Sequence, residues 1–300
     1  MFRLSTYLLA GLLLLNSAVA QPENLAVLRE KTQKSLNEIA NGSKGVIGFT
    51  VIDLTDGTRF SLNENLVFPQ ASAIKIAIMM EVYKQAQEGK FKLTDIRKIE
   101  KSDRTGGSGI LKDLSNETLQ LTIRDLCVLM IVLSDNSATN ILIDLVGREN
   151  INQTMESLGL KDTRVRRRMM DTAASHRGDE NTSTPKEAAR IMELLHQGKF
   201  INRTACDDMI SILKKGKTTA LGEGLPKDVS IASKPGGITG VKTEWGIVQL
   251  KDRPYAIAIM ENYGSGEVAP AFTEISKTLH DYFSRLSKAS PYGALVEKPK

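Results

Sequence analysis

Ser72-Ala73-Ile74-Lys75, at the opening of the apolar run from Ile74 to Tyr83, is the stretch on which the reading of this chain turns. A serine and a lysine three residues apart share one helical face. The alcohol of Ser72 becomes a nucleophile only when a neighbouring group takes its proton, and a lysine amine can do so where burial lowers its pKa toward neutrality. The same spacing recurs at Ser183 to Lys186 and at Ser211 to Lys214, so context decides. Around Ser183, the run Thr184-Pro185-Lys186-Glu187 has an N-capping threonine, a proline suited to the first helical position and a glutamate at the capping-box position, which predicts a helix start. Ser211 lies among Met209, Ile210, Ile212 and Leu213, the buried flank of a helix, with Lys214 on its solvated side. Only Ser72 follows two strand-like runs, Val46 to Leu54 and Thr58 to Leu62, and then opens an apolar helix able to bury its lysine. Taken alone, the tetrapeptide fits a plain helix start as well as a catalytic pair.

The 300-residue chain is 41% hydrophobic, enough to bury one large core or two lobes. Met1 to Ala20 combines Arg3, the apolar run Tyr7 to Leu15 and Ala18-Val19-Ala20, the three regions of a secretory signal peptide cleaved after Ala20. That leaves 21–300 as a single expected domain, secreted or periplasmic, with no integral membrane segment after cleavage. The net charge of +5 is mild and dispersed, which argues against a nucleic acid partner. Arg164, Arg166, Arg167 and Arg168 form a local basic run without interleaved aromatics, which reads as a salt-bridged loop base. Cys127 and Cys206 lie in separate helical segments, and the chain has neither a disulfide framework nor a metal-ligand spacing. No cofactor is expected, no metal, and a monomer.

The helical pattern of 22–40 is followed by a turn at Asn41 to Gly45 and a hairpin centred on Asp56-Gly57. From Ser72 to about Gly216 the apolar period is helical, interrupted by Gly106-Gly107-Ser108-Gly109 and by a polar loop from Arg164 to Thr184. Strand-like runs return at Val229 to Lys234, Thr243 to Leu250 and Tyr255 to Glu261, before a closing helix over Val268 to Leu286. The expected class is α+β, in three α/β/α layers: a five-stranded antiparallel sheet flanked by the terminal helices (about 21–71 and 217–290), plus an all-helical lobe (about 72–216). A crevice between the two is the natural ligand site.

Two further segments are chemically dense. Ser134-Asp135-Asn136-Ser137-Ala138-Thr139-Asn140 interrupts an apolar helical stretch, and burying such a cluster without partners costs on the order of 1 to 3 kcal/mol per group. A helix-helix turn capped by Ser134 or Asp135 explains one polar residue there, and less well the whole run. Ser233-Lys234-Pro235-Gly236-Gly237 closes a strand, where proline cannot donate to a ladder and glycine admits close backbone approach, as on an edge strand lining a cleft.

In order along the chain, Ser72-x-x-Lys75, Ser134-Asp135-Asn136 and Lys234-x-Gly236 match the motif set of serine β-lactamases and penicillin-binding proteins. The chain resembles class A β-lactamases from about Leu25 to Leu286, including Ala138-Thr139-Asn140, Leu158-Gly159-Leu160, Thr163-Arg164 and Thr182 to Pro185. The resemblance implies that Ser72 is acylated by a β-lactam or a D-alanyl-D-alanine peptide, with Lys75 as base. It places the oxyanion between the N–H groups of Ser72 and Gly237, and Ser134 as proton donor to the leaving nitrogen. Asn136, Gly236 and Thr239 then contact substrate, while Lys234 and Lys242 face its carboxylate. A lysine at 242 keeps the charge of the family's arginine but not its fork.

Three departures stand out. Pro235 replaces the usual threonine or serine of the third motif. The position that pairs with Cys127 in some family members is Met79 here, so no bridge is expected. Most consequential, the loop from Arg164 to Thr184 lacks the family's Glu-Pro-x-Leu-Asn segment: Met169 stands about where the deacylating glutamate is found. Asp171 is the first substitute for that glutamate, followed by Asp179, Glu180 and His176. The altered loop resembles that of class A-like D-alanyl-D-alanine peptidases of cyanobacteria. The leading expectation is a β-lactam-opening serine hydrolase of slow turnover, with a D-alanyl-D-alanine carboxypeptidase as alternative. A non-catalytic β-lactam sensor and an unrelated Ser-His-Asp hydrolase using His176, His196 or His280 are weaker readings.

Overall fold

The computed structural model describes residues 23–114, 119–216, 218–265 and 270–295. The signal-peptide segment Met1 to Ala20 lies outside the described residues. Helix α1 (Glu23–Asn41) leads into the hairpin β1 (Val46–Asp53) and β2 (Arg59–Leu62), then β3 (Phe68–Pro69) and α2 (Lys75–Gln87). The helical lobe continues with a ribbon, β4 (Ile96–Lys98) and β5 (Gln120–Thr122), and with α3 (Ile123–Val132), α4 (Asn136–Val146) and α5 (Arg148–Ser157). The long loop carries α6 (Thr172–His176) and β6 (Thr182–Ser183), followed by α7 (Pro185–His196), α8 (Arg203–Leu213) and α9 (Ala220–Glu223). Strands β7 (Ile231–Ile238), β8 (Val241–Val248) and β9 (Tyr255–Asn262) precede α10 (Pro270–Lys288). No helix among the described residues is long and apolar enough to cross a membrane.

The main sheet runs β2-β1-β9-β8-β7, antiparallel throughout. Its residues alternate between two cores, as a period of two requires. Phe49, Val51, Ile257 and Ile259 pack under α1 and α10 with Leu36, Leu279 and Phe283. Ile52, Ala256, Ala258 and Met260 face the helical lobe with Ala188, Met192 and Leu195. Tyr255 stacks on Phe283 at 4.3 Å between ring centroids, locking α10 to the sheet. The three-layer α+β architecture is therefore as the sequence led us to expect.

Two details differ. The helical lobe is not all-helical: β4 pairs with β5, and β3 pairs with β6 across the long loop. Pairings of two or three residues are too short to show an alternating pattern. The third motif also does not end its strand, because β7 continues through Pro235 and Gly236 to Ile238, opposite Val241. Proline is tolerated there because β7 is an edge strand of the sheet.

At the junction of sheet and lobe lies Gln70, fully buried. Its Oε1 accepts the Trp245 indole N–H at 2.9 Å, its Nε2 donates to Phe68 O at 2.8 Å, and its own carbonyl accepts from Thr243 Oγ1 at 3.0 Å. This one residue ties β8 to the turn that follows, where Ala71 takes the left-handed φ of 44° that alanine rarely adopts. Replacing Gln70→Leu leaves the buried Trp245 indole N–H without its partner, while the Phe68 carbonyl keeps its place in the β3–β6 ladder. We expect a loss of about 1 to 3 kcal/mol for the orphaned group in chemical denaturation; a variant as stable as the parent would show that this bond carries no weight.

Candidate active site

Residues Ala71–Ile74 form a tight 3-10 turn that continues into α2, so Ser72 and Lys75 occupy successive turns of one helical rod. Among the described residues the Ser72 hydroxyl has no hydrogen-bond partner, and it opens onto the cleft between sheet and lobe. Lys75 is fully buried. Its Nζ lies 2.7 Å from Ser134 O, 2.9 Å from Asn136 Oδ1 and 3.1 Å from Ser134 Oγ. Two of these are carbonyl oxygens that can only accept. A neutral amine satisfies both with its two N–H bonds and keeps a lone pair for a hydroxyl proton. Burial, then the nearby Lys234 charge, push the Lys75 amine well below the usual lysine range, against the opposing pull of the Asp135 carboxylate.

The polar cluster after α3 divides its labour. Asp135 caps α4: its Oδ1 accepts from Ala138 N at 2.9 Å, while Oδ2 accepts from Ile110 N at 2.7 Å and Leu111 N at 2.9 Å. The capping reading thus holds for Asp135, and it frees its neighbours on both sides. Ser134, in a left-handed conformation with φ of 54°, is directed at Lys75, as is Asn136. Asn136 also donates from Nδ2 to Gly106 O at 3.0 Å, which fixes its amide orientation.

The third motif completes one side. Lys234 is buried and donates to Pro235 O at 2.8 Å. Gly236 brings β7 against the Ser72 turn so closely that a Cβ there would lie 2.6 Å from Gln70 O and 2.7 Å from Ala73 N. Ser72, Ser134, Lys234, Gly236, Gly237 and Lys242 share the walls of a cavity of about 420 Å³. Beyond Ser72 a second cavity of about 520 Å³ is bounded by Asn136, Gly237, Thr239 and the long loop. Nine of the ten residues singled out in the sequence therefore converge.

Asp171 is held apart. It is exposed and caps α6, its Oδ1 accepting from Ala174 N at 2.9 Å, and it lines neither cavity. Glu180 is engaged by Arg167 at 2.9 Å and accepts from the Ser175 hydroxyl. Asp179 faces Arg177, while His176 does line the second cavity. The arginine run is a salt-bridged loop base, with Arg164 on Glu156, Arg167 on Glu180 and Arg168 on Asp144. Met169 is anchored on both sides of its peptide by Asn140, which accepts from Met169 N at 2.8 Å and donates to its carbonyl at 3.2 Å. Cys127 and Cys206 are buried and free. Sequence reasoning missed Gln70, Gly107 and Ser108; only the glycine-rich break around Gly107 left a trace there, and it read as a loop.

A family model described as "Beta-lactamase enzyme family" matches residues 31–283. The chain belongs to that family. An imipenem-hydrolyzing beta-lactamase of Enterobacter cloacae is 27% identical over 247 residues, covering 79% of this chain and 84% of the relative. A beta-lactamase from Sphaerobacter thermophilus superposes with a TM-score of 0.77 at 28% identity, covering 85% of this chain and 97% of that one. The structure of PBP-A superposes with a TM-score of 0.78 at 25% identity, covering 85% and 96%. The protein is thus a serine hydrolase of the β-lactamase type, on the scaffold shared by class A β-lactamases and penicillin-binding proteins.

In this β-lactamase-family chain, Gly236→Ala drives a methyl into backbone on the turn that carries Ser72. Overpacking of this kind costs about 1 to 3 kcal/mol. We expect that loss in urea unfolding together with at least a tenfold slower formation of a penicillin adduct on Ser72, which intact-protein mass spectrometry follows. Adduct formation at the parent rate would show that the close approach is not needed.

Proposed function

We propose that this protein opens β-lactams through an acyl-enzyme on Ser72 and releases the product slowly. The observation that carries this reading is the Lys75 amine, buried between Ser134 and Asn136 and one helical turn from Ser72. In the reaction, Lys75 takes the Ser72 proton as Oγ attacks the lactam carbonyl. The developing oxyanion sits between the N–H groups of Ser72 and Gly237, donors typically worth about 10²- to 10³-fold in rate each. As the carbon–nitrogen bond breaks, Ser134 passes a proton to the leaving nitrogen, replenished through Lys75. Lys234 and Lys242 attract the substrate carboxylate, Thr239 lies alongside it, and Asn136 and Gly236 shape the acyl side.

Slow release follows from the loop. Met169 is fixed by Asn140 beside the cleft, and a thioether cannot accept a proton from water. That same observation favours a second reading, a D-alanyl-D-alanine carboxypeptidase, in which the acyl group comes from a peptide. Both readings go with secretion, for which the Met1 to Ala20 signal is the support, and with a monomer.

Mixing the protein with nitrocefin and, separately, with a D-alanyl-D-alanine peptide distinguishes them. Sustained nitrocefin turnover supports the first reading; a stoichiometric burst with peptide cleavage supports the second. No adduct on Ser72 with any β-lactam overturns both. Installing a base at the anchored position, Met169→Glu, should speed release of the adduct by about 10²-fold or more, the usual contribution of a positioned general base; an unchanged adduct lifetime would mean water does not approach from this loop. The adduct-forming rate should also rise with pH along a limb whose midpoint lies well below the ordinary lysine value of 10.5, because only neutral Lys75 accepts the proton. A midpoint near the ordinary value would remove Lys75 as the base.

A further inference from the structure

The two cavities that meet at Ser72 take different halves of a substrate. In the acyl-enzyme reading the acyl side extends past Asn136, so the leaving half, protonated by Ser134, fills the cavity of about 420 Å³. Lys234 and Lys242 on its wall suit a carboxylate there. The same wall also carries two acids, Glu244 and Glu223.

Glu244 lies two residues beyond Lys242 on β8, so the two side chains leave the same face of the strand. It is buried, and both of its oxygens accept: Oε1 from Ser233 Oγ at 2.7 Å and Oε2 from Leu221 N at 3.2 Å. These bonds fasten β8 to β7 and to α9. Helix α9 is fastened to α10 as well, with Thr273 Oγ1 donating to Ala220 O at 3.0 Å and Ser276 Oγ to Leu221 O at 2.6 Å. Gly224 then abuts α10 so closely that a Cβ there would lie 2.5 Å from Thr273 O. Between these ties stands Glu223, the last residue of α9, exposed and without an ion-pair partner among the described residues. Its backbone is thus held at the rim of the cavity.

Two amines alone would suit an occupant that is purely anionic. A carboxylate added to such a wall weakens the pull on a substrate anion, unless the occupant brings a positive charge to meet it. Charges across an interface select partners by complementarity of sign, and like charges brought together are the rejecting element. The oxygens of Glu244 already accept from protein donors, which leaves Glu223 to read the occupant.

We propose that Glu223 selects substrates whose leaving half carries a cation beside its carboxylate, and disfavours those whose leaving half is anionic only. The selection rests on the reading of Ser72 as the residue acylated by β-lactams.

Cephaloridine and cephalothin test this, because they share one acyl side chain and one ring carboxylate and differ only in a pyridinium or a neutral acetoxy group on the leaving half. The quantity to follow is the ratio of their acylation rate constants, measured by intact-protein mass spectrometry. Comparing that ratio between variants cancels the intrinsic reactivity of each compound and any uniform loss of folded protein. In Glu223→Gln the cephaloridine-to-cephalothin ratio should fall about threefold or more, the scale of one partly solvated ion pair. In Glu223→Lys it should fall about tenfold or more, because a repulsion replaces the attraction. High salt should lower the ratio in the parent and leave it nearly unchanged in Glu223→Gln. A ratio that stays within about 1.5-fold of the parent in both variants, with Ser72 still acylated, would overturn the proposal while leaving the acyl-enzyme reading intact. Failure of the parent to acylate with either compound would instead remove the acyl-enzyme reading and the selection with it.

Discussion

A lysine amine with no solvent exposure, set between a serine and an asparagine, is the constraint around which this molecule is arranged. Placing an ammonium group in such surroundings is costly unless it is paired or loses its charge. Here the second cation, Lys234, adds to the pressure toward neutrality, and the Asp135 carboxylate only partly relieves it. The amine needs acceptors for its N–H bonds and finds them on the segment between α3 and α4. That requirement brings α2 and the α3–α4 junction together, and the capped geometry of Asp135 makes the junction stiff enough to serve.

The nucleophile turn is fixed from the other side by the sheet. Gln70 and Gly236 work as a pair: the glutamine supplies hydrogen bonds to β8, and the glycine lets β7 come within contact of the same peptide. Ala71 accepts a strained conformation between them. The lobe therefore contributes the amine, the sheet contributes the platform, and Ser72 lies where the two meet.

Much of this was legible in the sequence because it follows from local rules. The spacing of Ser72 and Lys75, the density of polar groups at Ser134 to Asn140, and glycine beside proline after Lys234 each have a direct structural consequence. The alternating runs of the sheet and the Asp56-Gly57 turn were equally readable. The rest depends on tertiary placement. No local rule announces that Gln70 will hold an indole, that Asn140 will anchor the peptide of Met169, or that Asp171 will spend its carboxylate on a helix cap. Glu187 shows the same limit: its amide is capped by Thr184, but its carboxylate turns away from the expected box to receive Asp162 N and the Thr163 hydroxyl. The two-residue pairing of β3 with β6 is invisible before folding, yet it closes the loop that frames the cleft.

Pro235 has a consequence unrelated to chemistry. The margin of a sheet ordinarily offers a row of free amides and carbonyls on which a neighbouring molecule can build, and natural proteins blunt such margins. One border of this sheet is interrupted by an imino acid and two adjoining glycines, and the other is β2, four residues long and begun by Arg59. Neither border offers a long, regular template. The fold can thus leave its reactive groove open along β7 without inviting copies of itself to polymerise there.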